Sequence, residues 1–393
     1  MAYGSLLHET RRGLHARIVA AIERLYPSRL GEHVERLAYH ALRGGLRDRA
    51  VEYLRQAGAR AAARSAHREA AGFYEQALEI LEADGPREDA VPTAIDLVFE
   101  LRASLAPLGE FTRTLAHLRA AEERAEAAGD VRRLGWISAY LTQSYYTIGQ
   151  QTDAIRAADR ALEIGEALDD DPLQIAANFG LGQAHHVLGD HETAQRHLRR
   201  AVAAVDGPLR RERWGMAGLV SVAARMWLAA SLADVGEFDE AIACAREGLA
   251  IAQDADHPWS TAGSHMTLGV VLLTRGYLDE AAPVLERGIA FAREMDLTAW
   301  LPMLLCARGI VRCRQEPGGA GLAMIEEGVQ RGAALRILSR QAQRLTWMAE
   351  AYRLAGRTDE AVAAATDAHR LASEQGERGS AAGALRMLAE ATV

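Results

Sequence analysis

Small and apolar positions recur along this chain in a fixed rhythm. Offsets of four and then three repeat, and the pattern restarts every 40 residues. One run is Ala281, Leu285 and Gly288; another is Ala241, Ala245 and Gly248. The same triplet returns as Thr114, Leu118 and Ala121; as Ala154, Ala158 and Ala161; as Ala194, Leu198 and Ala201; and as Ala361, Ala365 and Ala368. A degenerate copy reads Gly321, Ile325 and Gly328. Such offsets put three residues on one helical face, and small residues there let a second helix approach closely. The pattern predicts a helix at each copy. Five residues before each regular triplet stands a glycine: Gly109, Gly149, Gly189, Gly236, Gly276 and Gly356. There it ends the preceding helix, where a positive φ costs it little. Asp239, Asp279 and Asp359 are expected to cap the helix that follows, and the Glu beside each suits its positive end. Pro283 is expected in the first helical turn, where its missing N–H loses no partner.

A second phrase lies seven residues upstream of each glycine. It reads Leu141-Thr142, Leu181-Gly182, Leu228-Ala229, Leu268-Gly269 and Met348-Ala349, followed by Tyr145, His185, Leu232, Leu272 and Tyr352. The order is Leu-small, bulky residue, Gly, Asp-Glu-Ala, Ala, and it resembles the tetratricopeptide repeat over roughly residues 31–393. The 40-residue period exceeds the family's usual ~34; the surplus is expected in the second helix and its exit loop. The resemblance implies an all-α fold, a right-handed solenoid of helix hairpins with a concave side lined by the first helix of each pair. Each hairpin is expected to lean only on its neighbours, so trimming the last helix should cost less than deleting a middle repeat.

Two irregularities divide the chain. Ala194 and Ala241 are 47 apart, and the surplus falls in "VDGPLRRERWGM", 205–216, where Gly207-Pro208 breaks a helix. Ala50 and Ala70 are 20 apart, which predicts two successive helices broken near Ser65. The expected organisation is an N-terminal cap (1–30), a first set of repeats (31–205), an irregular loop (206–216), and a second set with a capping helix (217–393).

Composition narrows the function. With 393 residues, 49% hydrophobic and 25% charged, the chain has ample material for buried helix faces. A net charge of −8 argues against a nucleic-acid-binding surface. No apolar run reaches the roughly 18–20 residues that cross a bilayer, and no signal-peptide core opens the chain, so a cytoplasmic protein with no membrane contact is expected. Three cysteines are too few to staple it.

The front end carries a further resemblance. "AYGSLLHETRRGLHARIVAAIE" and the residues after it resemble the segment that joins an ATPase module to a tetratricopeptide array in large bacterial signalling proteins. Many of those are class III adenylate cyclase-type proteins or ATPases. The chain contains no lysine, so a Gly-x-x-x-x-Gly-Lys-Ser/Thr phosphate loop is excluded. The resemblance implies a regulatory array without the ATPase and cyclase domains, not an enzyme.

Candidate chemistry is sparse. His185, His186, His191 and His197 fall within "HHVLGDHETAQRH", but His185 occupies a packing position and His191 a turn, so no metal site is expected. Gly180-x-Gly182 lacks the strand that a nucleotide loop needs. Cys306 and Cys313 share a helical face and are expected to pack. "LDDDP" (168–172) and "LRRER" (209–213) read as solvated turns. No cofactor is expected. The inward positions of the first helices carry the functional expectation: Trp136, Gln143, Tyr146, Phe179, Gln183, His186, Met226 and Met266 would line a groove for a protein or peptide partner. The alternative is a regulator that senses a small molecule.

Overall fold

The computed structural model describes residues 8–64, 66–83, 88–316 and 319–392. They form nineteen α-helices and no strand. Residues 2–7 of the opening stretch, and Ser65, lie outside the described residues. The fold is all-α, built of tetratricopeptide-type helix hairpins stacked in series, and it divides into two compact units at Asp130/Val131. No helix among the described residues is long and apolar enough to cross a membrane.

The first unit contains α1 (His8–Leu25), α2 (Val34–Gly44), α3 (Arg47–Ala63), α4 (His67–Glu82), α5 (Val91–Leu105) and α6 (Phe111–Ala128). Each packs on the next. Ala50 and Ala70, the residues only 20 apart, are fully buried on α3 and α4, the two successive helices that spacing predicts. Their approach is close: a Cβ on Gly58 would lie 2.5 Å from the Tyr74 ring.

The second unit contains five regular hairpins and a last helix. These are α7 (Val131–Thr147) with α8 (Gln151–Ala167), and α9 (Asp171–Val187) with α10 (His191–Ala204). Next come α11 (Val220–Asp234) with α12 (Phe238–Asp254), and α13 (Pro258–Arg275) with α14 (Leu278–Glu294). A degenerate pair, α15 (Leu301–Gln315) and α16 (Gly319–Ala334), precedes α17 (Gln341–Leu354), α18 (Thr358–Gln375) and α19 (Arg378–Ala391). First helices also touch one another in series, α7 on α9 through to α17 on α19. They are therefore buried on nearly every side: all residues from Ser260 to Leu273 of α13 are buried. The second helix α14 buries a single stripe that includes Ala281, Leu285 and Gly288.

The triplets behave as their spacing predicts. Ala154, Ala158, Ala161, Ala281, Leu285, Ala361, Ala365 and Ala368 are all fully buried. The six turn glycines all take positive φ, from 72° at Gly356 to 90° at Gly236 and Gly276. The degenerate copy differs at this turn: Glu316 is extended, with φ −138°.

Several expectations are corrected. The 40-residue period is not a lengthened second helix; α7, α8 and α9 are 17 residues each, separated by three-residue turns, so both helices share the surplus. Asp239, Asp279 and Asp359 are not caps. They lie in the first turn, behind Glu237, Tyr277 and Arg357, whose side chains make no cap bond. Side-chain caps belong instead to Asp170 and Asp190, each accepting an N–H at 3.2 Å, from Leu173 and Thr193, and to His257, whose Nδ1 accepts from the Ser260 N–H at 3.3 Å. Pro283 sits beyond the first turn, five residues after Leu278 opens α14, so the Asp279 carbonyl loses its helical donor.

The segment that follows α10 is irregular, as its Gly-Pro predicts, with a short 3-10 turn at Gly207–Arg211. It lies inside the second unit, whereas the compact units divide 75 residues earlier. The segment is tied down: Tyr140 Oη donates to the Trp214 carbonyl at 2.9 Å. Arg225, 1% exposed, bonds Asp206 and Glu247 at 2.8 and 3.0 Å.

Candidate functional site

The second unit closes on itself. The backbone N–H groups of Leu338 and Ser339, in the turn before α17, both donate to the Thr147 carbonyl at the end of α7, at 3.1 and 3.2 Å. Arg378 Nε, at the start of α19, donates to the Leu188 carbonyl at 3.1 Å, across 190 residues of chain. A Cβ on Gly149 would collide with Gln375. The hairpins of this unit therefore do not lean only on their nearest neighbours. The expected open trough is instead a cavity with walls from both ends of the array.

That cavity has a volume of about 660 Å³. It lies where the first helices α9, α11, α13 and α15 end and where α17 and α19 face them. Its wall carries both signs of charge. Arg314 and Glu350 form a two-pronged pair at 2.7 and 2.9 Å. Arg386, from α19, pairs with Glu390 at 2.5 Å. Arg340 Nε donates to Gln343 Oε1 at 2.9 Å, and its guanidinium lies 5.7 Å from the Trp227 ring. Asp234, the last residue of α11, keeps about half of its side chain exposed on the same wall, yet desolvation pushes its carboxyl pKa up, against the charges of Arg340 and His191. Glu377 is 1% exposed; burial pushes its carboxyl pKa up, against the pull of Ser380 and the Arg340 and Arg344 groups.

His186 shares this wall. Burial, and then the charges of Arg340 and His191, hold its imidazole well below the ordinary histidine range. Its Nδ1 is buried with no hydrogen-bond partner among the described residues and lies 3.9 Å from Asp234 Oδ2. The His191 ring stands edge-on to it, with centroids 5.5 Å apart.

Of the eight residues expected to line a groove, only His186 faces the cavity. Tyr146 lies in the cluster of Ala154, Ala184 and Val187, T-shaped on Trp227 at 5.5 Å, and burial raises its pKa. Trp136 is half-buried against Ala139, Leu173 and Ala177. Phe179, Gln183, Met226 and Met266 are buried, and Gln143 is half-buried. Close stacking of successive first helices buries Phe179, Gln183, Met226 and Met266.

The cluster of four histidines splits in two. His185 and His197 stack with centroids 6.1 Å apart. His185 Nδ1 is 3.3 Å from Asp190 Oδ2, and His197 Nδ1 is 2.9 Å from Asn178 Oδ1. Gly180 and Gly182 are packing residues, against Thr142 and Leu198. Cys306 and Cys313 are buried, and burial pushes the Cys306 thiol up to about 12. In the acidic turn, Asp170 caps α9 and pairs with Arg132 at 3.0 Å. In the basic turn, Arg211 pairs with Asp254 at 2.8 Å.

The sequence reading missed Asp234, Arg340, Glu350 and Glu377. One signal was available for Asp234: an acidic residue ending a helix opposes the dipole there, which favours cations. Arg340 has φ 55°, a strain that no sequence pattern announces.

Neither a family model nor a curated protein matches the sequence. Among solved structures, the fold is similar to a Rap protein complexed with competence and sporulation factor. That match has 14% identity, covers 87% of this chain and 97% of the other, and has a TM-score of 0.56. It is also similar to the Rap conjugation gene regulator of plasmid pLS20 in complex with the Phr* peptide, at 14% identity over 77% and 78% of the two chains, TM-score 0.59. Aspartyl phosphate phosphatase F from Bacillus subtilis aligns at 13% identity over 89% and 95%, TM-score 0.56. At these identities the likeness is one of fold.

Proposed function

We propose that the second unit is a non-enzymatic receptor for a peptide, or for the exposed end of a partner protein, held in the 660 Å³ cavity. The observation that carries this reading is the mixed charge of one cavity wall. Arg340 offers a cationic fork to a carboxylate, while Asp234 offers an acceptor to an ammonium or amide N–H. A peptide end carries both kinds of group within a few ångströms. Trp347, on the same wall, supplies apolar surface for a side chain. Two structural neighbours are described in complex with a peptide or a factor, which agrees with this reading without carrying it.

The test is fluorescence-polarisation binding against a displayed peptide library, followed by Asp234→Ala and Arg340→Gln. Hydrogen bonds to charged groups contribute about 1.5–3 kcal/mol, so each variant should weaken a selected peptide by roughly 10- to 100-fold. Unchanged affinity in both would remove the cavity from the account.

The closure of the unit favours a second reading, small-molecule sensing. The cavity falls in the range of about 300–1,000 Å³ common for such ligands. A metabolite that raises the melting temperature in a saturable way, with no peptide selected, would decide for it. The setting we propose is bacterial signalling in which this array reports to an ATPase or cyclase-type module. That part rests on the N-terminal resemblance, and a pull-down with such a module tests it.

A further inference from the structure

We infer that His186, His191 and Asp234 form a site for one divalent transition-metal ion of the zinc class, on the wall of the cavity. Each residue offers a ligand atom, and the three atoms lie within 4.8 Å of one another. They come from three helix ends: the last turn of α9, the first residue of α10 and the last residue of α11. The Gly189 turn joins the first two helices, so His186 and His191 face each other across it. Asp190 caps α10 and fixes the start of that helix, and Ser231 Oγ lies 3.4 Å from His191 Nδ1.

The independent pointer to a ligand is His186. Its side chain is more than nine-tenths buried, yet Nδ1 has no partner among the described residues. A buried polar atom left unpaired carries a cost that a bound cation would remove. Zinc binds His nitrogen and carboxylate oxygen at about 2.0–2.2 Å, which places tetrahedral donors roughly 3.3 Å apart. The 3.9 Å between His186 Nδ1 and Asp234 Oδ2 closes to that with a small side-chain movement. Imidazole and carboxylate together select zinc-like ions over magnesium or calcium. Three protein ligands leave one position open to the cavity, available to water or to a ligand carboxylate.

One charge opposes the ion. Arg340 acts on both His186 and Asp234. Its replacement should therefore tighten metal binding. This site does not depend on the peptide reading; it stands if no peptide binds.

The experiment titrates the full chain with zinc against a chromogenic chelator and with cobalt(II) by visible absorption. The expected result is one equivalent bound, with the intense bands of tetrahedral cobalt. Asp234→Ala and His191→Ala replace residues that are exposed and half-buried, so circular dichroism should show an unchanged fold. Each should weaken binding by at least about tenfold, the loss typical of removing even an outer partner of a metal ligand. Arg340→Gln should tighten it, and His185→Ala, in the other histidine pair, should leave it unchanged. Absence of stoichiometric binding by the folded wild type overturns the proposal. So does binding that survives both Asp234→Ala and His191→Ala.

Discussion

At the scale of single residues, each hairpin of the second unit is fitted by a pair of positions sixteen apart. Gly182 faces Leu198, Gly269 faces Leu285 and Gly309 faces Ile325; a Cβ on any of these glycines would run into its partner's side chain. Where the second helix carries Ala158, Ala245 or Ala365, the first carries Thr142, Ala229 or Ala349, all buried. Bulk on one helix is matched by its absence on the other. Overpacking typically costs about 1–3 kcal/mol, and truncating a buried Leu about 2–5. Gly269→Ala and Leu285→Ala should each destabilise the protein in urea by such amounts. The double variant recreates the Ala–Ala pair of the neighbouring hairpin, so it should cost less than the sum, with a coupling of about 0.5–3 kcal/mol. Strict additivity would refute the pairing. A second residue-scale outcome concerns Glu377. Its folded pKa is raised by burial, so its contribution to stability is full below about pH 4.5, the ordinary value, and is lost as pH rises through the folded value. Glu377→Gln should flatten this dependence and be at least as stable as wild type at pH 8. A wild-type advantage that grows with pH would mean that the carboxylate forms a net favourable pair with Arg340 or Arg344.

At the scale of helices, much was legible and for a definite reason. The triplets mark where two helices meet, and a backbone contact tolerates few residue types, so Ala281, Leu285 and Gly288 announce their burial. Turn glycines are equally constrained by φ. The degenerate hairpin is also closely fitted. A Cβ on Gly321 would lie 2.6 Å from Cys313 Sγ, and one on Gly328 would lie 2.6 Å from Cys306 Sγ. The cysteines that invite a chemical reading are thus floors for glycines. Helix caps were misread because Asp239, Asp279 and Asp359 each stand two residues inside the position that hydrogen-bonding requires. The candidate site was the least legible part. Periodicity says which face of a helix turns inward. It does not say whether that face meets open space or the next first helix, and Phe179, Met226 and Met266 met helices. Of the charged residues that do reach the cavity, Asp234, Arg314, Arg340 and Glu377 lie at helix ends and turns and Glu350 and Arg386 within α17 and α19, all outside the repeat's own pattern.

At the scale of the second unit, closure changes how stability and binding are distributed. In an open array each repeat touches only its neighbours, so trimming the last helix loosens only the helices beside it. Here α19 packs on α17 and α18 and also reaches the Leu188 carbonyl through Arg378. The turn before α17 holds the Thr147 carbonyl. A chain ending at Gln375 should therefore lose amide-exchange protection at two distant places. Residues 345–375, which lose a packing partner, are the first; the ends of α7 and α9, with the turns at 148–150 and 188–190, are the second. Arg378→Ala alone should show a weaker version of the distant effect, since a single exposed hydrogen bond contributes only about 1 kcal/mol. The truncated chain should also bind a selected peptide more weakly, because Glu377 and Arg386 leave the cavity wall with α19. Protection lost only in α16–α18 would restore the open-array picture. Loss at 148–150 and 188–190 would establish that the two ends of this unit hold each other, and that the cavity exists because they do.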